Sequence, residues 1–212
     1  MNDNLSKIYS EHHLNSRSAD FSILEKERGG LLKDHIGTNK EVLDLGCRNG
    51  VLTKYFVQNN DVLGVDIDKE SLGVANENLK INTLLMDLNG DWKELGDKRF
   101  DVVVLGEVLE HLYFPGVVLE KIRKHLNDNG LLLGSIPNAF SLKNRLRYFL
   151  ARKKETPLGD PTHINHFSFY ELKDLLEKYF NEVEIIGLSR YKKLAIISPN
   201  FFAFDLFFIA RK

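Results

Sequence analysis

The stretch that decides the fold is "EVLDLGCRNGVL", Glu41 to Leu52. It reads as a buried strand that carries Asp44 near its end and turns at Gly46. A second glycine, Gly50, then precedes a run with helical spacing. A glycine lets the backbone turn sharply and come close to a ligand, and the start of a helix leaves N–H groups free to bind one. A dinucleotide-binding fingerprint would place glycines at positions 46, 48 and 51, whereas this chain has Gly46, Arg48 and Val51. Two of three glycines are missing, which weighs against a nicotinamide or flavin dinucleotide.

Outward from that stretch, two kinds of segment alternate. "EVLDL" (41–45), "DVLGV" (61–65), "INTLLM" (81–86), "FDVVVL" (100–105) and "GLLLGSI" (130–136) are short, nearly continuous apolar runs. Such runs suit parallel strands covered on both faces. Between them "GVLTKYFVQN", "KESLGVANENL" and "PGVVLEKIRKHL" repeat apolar residues at helical spacing, the last opening on Pro115, a residue suited to a first helical turn. Strand and helix in alternation predict an α/β, doubly wound parallel sheet. "FSFYELKDLLEKYF" adds a helix with Ser168 as N-cap and Glu171 completing a capping box. "EVEIIGLS" (182–189) and "FFAFDLFFIARK" (201–212) follow with no helix-length pattern between them, which predicts a C-terminal antiparallel hairpin.

Composition sets bounds on function. The 212 residues are 43% hydrophobic and 28% charged, and the net charge is -1, so the whole surface is not a cationic bed for nucleic acid. One cysteine, Cys47, leaves no internal disulfide and no cysteine-only metal site. The polar start of the chain lacks a basic-then-apolar leader pattern, so a cytoplasmic location is expected. The expected layout is one domain over 1–212. Residues 1–38 would form an N-terminal helical lid, and 139–166 a substrate-side insertion.

Ligands in this architecture bind where strands end at their carboxyl side. Asp66 closes the second strand, 20 residues after Gly46, where an acid can accept both ribose hydroxyls. Asp68, directly before "KESL", fits the helix N-cap better than Asp66 does. Asp87 follows the third strand and can meet an adenine amino group, although Asp before Asn-Gly is also ordinary turn chemistry. After the fourth strand, "GEVLEH" crowds Glu107, Glu110 and His111, with Glu107 and His111 expected on one face of a helical turn.

In order, "EVLDLGC–NG", "VLGVDID", "LLMDL", "FDVVVLGEVLEHL–FP" and "L–DNGLLLGSIPN" make the chain resemble the class I S-adenosylmethionine-dependent methyltransferases. The likeness runs from about Glu41 to Asn138. "EVLEH" and "SIPN" are most similar to the branch containing the ubiquinone-biosynthesis O-methyltransferases, and they also resemble small-RNA 3′-terminal 2′-O-methyltransferases. The resemblance implies a Rossmann-like seven-stranded, mostly parallel sheet and S-adenosylmethionine as cofactor. It implies that Asp44 and Gly46, Cys47, Arg48, Asn49 and Gly50 hold the methionine moiety. Asp66 and Ile67 would take the ribose and adenine, Asp87 and Leu88 would flank the adenine ring, and Gly106 and Glu107 would pass the methionine end. Arg48 is expected in ordinary helical or extended backbone, its side chain pointing outward or toward the cofactor carboxylate.

Methyl transfer needs alignment, and a base where the acceptor carries a proton. His111, His163 and His166 are the candidates, the latter two in the "GDPTHINHFSFYEL" loop. The related RNA enzymes carry a metal on two glutamates and two histidines. Glu107, Glu110 and His111 match the first three, with His163 or His166 as the fourth. The same glutamate and histidine recur in relatives with no evident need for metal, so a metal-free site is expected.

The insertion "AFSLKNRLRYFLARKKETPLGDPT" sets Leu142, Leu146, Phe149 and Leu150 on one helical face. Lys143, Arg145, Arg147, Arg152, Lys153 and Lys154 crowd around them, and no acid appears before Glu155. Three readings of 142–154 compete: an amphipathic helix packed on the core, an anion site for a phosphate-bearing substrate, and a membrane-surface helix. The expected function is O-methylation of a small-molecule, glycan or lipid-linked acceptor, with nucleic acid disfavoured. The alternatives are an RNA 2′-O-methyltransferase and a non-catalytic binding module whose cofactor loop has degenerated at Arg48.

Overall fold

The computed structural model describes residues 22–190 and 192–212. The chain forms two compact units, the first ending at Val104 and the second running from Leu105 to Lys212. The first holds α1 (Glu25–Ile36), β1 (Glu41–Leu45), β2 (Asp61–Asp66), α2 (Lys69–Leu79), β3 (Asn82–Leu85) and most of β4 (Phe100–Gly106). The second holds α3 (Pro115–His125), β5 (Leu126–Pro137), α4 (Leu142–Phe149), α5 (Phe169–Glu177), β6 (Glu182–Leu188), α6 (Lys192–Ile197), α7 (Pro199–Phe202) and β7 (Asp205–Arg211).

The seven strands lie in the order β3-β2-β1-β4-β5-β7-β6. β1 pairs in parallel with β2, and β2 with β3, while β7 runs antiparallel to both β5 and β6. Successive residues Val42 and Leu43 of β1 are both fully buried, so the strand is covered on both faces, as its unbroken apolar run requires. Asp68 caps α2, its Oδ1 accepting from the N–H groups of Glu70 and Ser71. The expected capping box at α5 is present in both directions, Ser168 Oγ accepting from the Glu171 N–H and Glu171 Oε2 accepting from the Ser168 N–H.

Local pattern misled at several places. The helix expected over 50–59 shrinks to a 3-10 turn at Thr53–Tyr55. Thr53 turns its hydroxyl onto Asp44, and Tyr55 turns its ring onto Gly29 of α1, so these side chains serve tertiary contacts rather than a helical stripe. The closing strands do pair antiparallel, but α6 and α7 sit between them, and β7 starts at Asp205 rather than Phe201. Pro199 explains part of this, since it has no N–H for a ladder and suits the first turn of α7. β5 reaches back to Leu126, which the helical spacing had assigned to α3. Of the expected lid over 1–38, residues 1–21 lie outside the described residues. Its described part, α1, is tied to the turn after the glycine loop by a 2.8 Å Lys54–Glu25 ion pair and by Tyr55 Oη donating to Glu25.

Candidate active site

The glycine loop of the first unit is built around two buried carboxylates. Asp44, on β1, takes the Thr53 hydroxyl on Oδ2 at 2.6 Å. Burial, reinforced by the neighbouring charge of Asp66, raises its pKa to about 7, against the lowering effect of Thr53. Asp66, ending β2, accepts the Arg48 N–H on Oδ2 and the Asp68 N–H on Oδ1, each at 2.9 Å. Desolvation raises its pKa as well, even though both N–H donors favour the charged form. Between the two lies Cys47, whose thiol is pushed well up by burial and by the charges of Asp44 and Asp66. That disfavours the thiolate, the reactive form of a cysteine. Its sulfur packs against Gly64, where an added Cβ would come within 2.8 Å of Sγ.

The loop's backbone carries the largest departure from expectation. Arg48 has φ +50, the left-handed region, not an ordinary helical or extended conformation. The turn 46–50 therefore runs through three positive-φ residues, Gly46 at +76, Arg48 at +50 and Gly50 at +84. A side chain at Gly50 would be strained by its φ of +84 and would have to displace the tip of Leu79 on α2, whose Cδ1 lies 2.4 Å from an added Cβ. Asp66 is what holds Arg48 in this shape, by accepting its N–H. Asn49 sits next to it, half-buried. After β3, Asp87 Oδ1 accepts both the backbone and side-chain N–H of Asn89, which is turn chemistry, and Leu88 is buried beside it. Ile67 separates the two aspartates after β2. Buried carboxylates next to a tight glycine loop fit a ligand that brings cationic groups and a ribose, which is the donor chemistry S-adenosylmethionine offers.

In the second unit Gly106 ends β4, and Glu107 follows with φ +58. This left-handed residue breaks the helical turn expected to align Glu107 with His111, and only a 3-10 turn at Leu109–His111 forms. Residue 135 on β5 clamps Glu107 twice: its carbonyl accepts the Glu107 N–H at 2.8 Å, and its hydroxyl donates to Glu107 Oε1 at 3.1 Å. Non-glycine residues in this region cost roughly 1–3 kcal/mol and persist where the surroundings hold them.

The loop 160–166 folds onto this turn. Ile164 and Asn165 N–H both donate to the Glu110 carbonyl, and Asn165 also donates its side-chain amide to the Leu112 carbonyl. Glu110 is buried, and its carboxylate lies with ring nitrogens of His111 and His163 in a cluster whose three ligand-type atoms are all within 4.8 Å of one another. His111 Nδ1 is 2.9 Å from the Thr162 carbonyl, and His163 Nδ1 is 3.2 Å from the Pro157 carbonyl. A nitrogen facing a carbonyl carries the proton, so each Nε2 keeps its lone pair in the neutral ring. His163 Nε2 is also 3.7 Å from Asp160 Oδ2, which favours the protonated ring once formed. The His163 and His166 ring centroids are 6.4 Å apart, and His166 Nε2 is buried without a hydrogen bond. The structure thus gathers His111 and His163 at Glu110, with His166 beyond His163. Thr53, Ser135, Asp160 and Thr162, which position these groups, carried no sequence signal beyond being small polar residues near the motifs.

A family model described as methyltransferase domain matches residues 20–180. The ubiquinone biosynthesis O-methyltransferase, mitochondrial, of Candida albicans is 28% identical over 167 residues, covering 74% of this chain and 50% of that protein. The ubiquinone biosynthesis O-methyltransferase of Photobacterium profundum is 32% identical over 113 residues, 50% of this chain and 48% of its own. The chain thus spans about half the length of these curated relatives. Among solved structures, a SAM dependent methyltransferase from Archaeoglobus fulgidus superposes with a TM-score of 0.66 at 21% identity, covering 97% of this chain and 99% of that one. A 1,6-didemethyltoxoflavin-N1-methyltransferase of Burkholderia thailandensis with bound S-adenosylhomocysteine gives 0.67 at 19% identity, covering 98% and 87%. At these identities the structural likeness establishes the fold.

Proposed function

We propose, from the premise that the chain belongs to the methyltransferase-domain family, that it methylates a hydroxyl of a small-molecule, glycan or lipid-linked acceptor with S-adenosylmethionine. The observation that carries the hydroxyl is the cluster of His111 and His163 at the buried Glu110, each ring oriented by a backbone carbonyl facing its Nδ1. A hydroxyl acceptor needs its proton removed as the new bond forms, and a tautomer-fixed imidazole is suited to that task near neutral pH. The cofactor supplies an activated methyl group on a sulfur that departs without protonation. Asp44 and Asp66 would hold its cationic and ribose ends, while Asp160 steadies the imidazolium that remains on His163 after transfer. Tyr113, Phe114 and Ile164 flank the histidine cluster in sequence and are exposed, which suits an apolar acceptor. The curated relatives, named for O-methylation in ubiquinone biosynthesis, support the same class of acceptor. An RNA acceptor has less behind it, because the net charge is -1 and the densest basic run, 143–154, is one short segment.

A second reading of the same cluster is favoured by its geometry. One carboxylate and two imidazoles, each imidazole fixed by a carbonyl behind it, form a donor set that suits a divalent cation. Glu110, His111 and His163 would hold it, and it would polarise the acceptor hydroxyl. The sequence left the fourth position open between His163 and His166, and the geometry brings His163 into the set. Glu107 and His166 are not in it.

The test is methyl transfer from labelled cofactor to a panel of hydroxylated acceptors, before and after chelation. Alanine at His111 or His163 should lower turnover by about 10²–10⁴-fold with cofactor affinity retained. Full activity in His111→Ala, His163→Ala and His166→Ala alike would rule out the histidine base, and full activity after chelation would rule out the cation.

A further inference from the structure

The insertion helix α4 does not bury its apolar stripe. Leu142, Leu146, Phe149 and Leu150 lie on one side at helical spacing, yet all are exposed, Phe149 at 88%. Of the three readings of 142–154, packing of this face on the core does not hold. A second element repeats the pattern: Ile196 and Ile197 of α6 are 75% and 78% exposed, and Phe202 of α7 is also exposed. α4 and α7 adjoin one another. Arg145 donates to Asn200 Oδ1 at 2.9 Å and stacks over the Phe201 ring at 4.9 Å. Asn138 ties both to the end of β5, its amide donating to the carbonyls of Pro199, Asn200 and Ala203, and its own carbonyl accepting from Asn144. α4 and α7 are thus held side by side by hydrogen bonds through Arg145 and Asn138.

The exposed charges on and just after α4 and at the start of α6 are cationic but for Glu155. Lys143, Arg152, Lys153 and Lys154 are exposed along and after α4, and Lys192 and Lys193 are exposed at the start of α6. Glu155 is the acid nearest in sequence to α4, and it is engaged by Arg147 at 3.2 Å. Protruding large aliphatic and aromatic side chains inside a cationic rim are the arrangement of a surface that inserts shallowly among lipid headgroups. We infer that α4, α6 and α7 together dock the protein on an anionic bilayer surface. Leu146, Phe149, Ile196 and Ile197 would enter the boundary of the acyl chains, and the lysines would meet the headgroup phosphates. A second copy of the chain fits this face poorly, because it would bring the same cationic rim against this one. A nucleic acid would leave the aliphatic tips without a partner. The inference rests on the surface alone and not on the methyl acceptor.

The test is co-sedimentation of the full chain with vesicles of phosphatidylcholine, or of phosphatidylcholine mixed with phosphatidylglycerol, at low and raised salt. The chain is expected to pellet with the anionic vesicles, less so at raised salt, and to stay mainly in the supernatant with the neutral ones. Phe149→Asp combined with Ile197→Asp should weaken anionic-vesicle binding by at least about tenfold. Lys153→Glu combined with Lys154→Glu should weaken it by at least about thirtyfold, each charge near such a surface being worth about 1 kcal/mol. All four positions are exposed, so circular dichroism and cofactor binding should stay as in the parent. No pelleting by the parent chain, or equal pelleting by the aspartate variant, would overturn the inference. So would a dimer of the parent that the aspartate variant converts to monomer, since the occupant would then be a second copy.

Discussion

Arg48 shows how much one residue can hide. The sequence shows an arginine where a dinucleotide loop has glycine, and from that alone it was expected to sit in ordinary backbone. The structure puts it at φ +50, with its N–H taken by Asp66. The loop keeps a glycine-like shape and gets a side chain only by tolerating strain. Arg48→Gly should therefore raise stability by about 1 kcal/mol, the lower end of the cost of a left-handed non-glycine residue because glycine also loosens the unfolded chain, measured by urea unfolding. An unchanged or lower midpoint would mean that contacts of the arginine side chain offset the strain. The capping role of Asp68 was legible because capping is local, and a residue before "KESL" has few alternatives. Glu107 was not legible: its left-handed backbone depends on a carbonyl and a hydroxyl of Ser135, 28 residues later. No local pattern encodes a partner at that distance.

At the scale of elements, the same division holds. The α5 capping box was readable because both partners lie within three residues of each other. Ser168→Ala should cost about 1 kcal/mol in thermal or urea unfolding, and Ser168→Asp should keep most of it. The apolar stripe of α4 was readable as a stripe but not as an exposed one, since periodicity names a face and not what covers it. The packing of α1 was invisible for a related reason. Gly29 lies on the ring of Tyr55, and a Cβ there would come within 2.5 Å of it. Gly29→Ala should therefore lower stability by about 1–3 kcal/mol, although alanine is the better helix former, because the ring must shift. Tyr55→Leu combined with Gly29→Ala should recover part of that loss. A stabilised Gly29→Ala single variant would show that the ring moves aside freely.

For the whole molecule, Asp44 couples folding to pH and to the proposed cofactor. Its pKa in the folded protein is raised to about 7 from the ordinary 3.8. The folded state thus holds this proton more tightly than the unfolded chain does. The stabilising contribution is complete below about pH 4 and is lost as pH rises to about 7, a span worth about 4 kcal/mol. Asp44→Asn removes that dependence while leaving an acceptor for the Thr53 hydroxyl. Relative to the parent, the variant should gain in melting temperature between pH 5 and pH 7.5, whatever other groups titrate, because those are common to both. A constant difference across that range would mean that Asp44 is ionised throughout. A cationic ligand beside Asp44 favours its charged form, so binding of S-adenosylmethionine should release a proton below neutrality. Its affinity should therefore climb from pH 5 to pH 7 by up to tenfold per pH unit, an effect that calorimetry in buffers of different ionisation heat reads directly. The neutral-sulfur product, S-adenosylhomocysteine, should show a shallower climb. Equal slopes for the two would place the sulfonium away from Asp44 and leave the ammonium group as its partner.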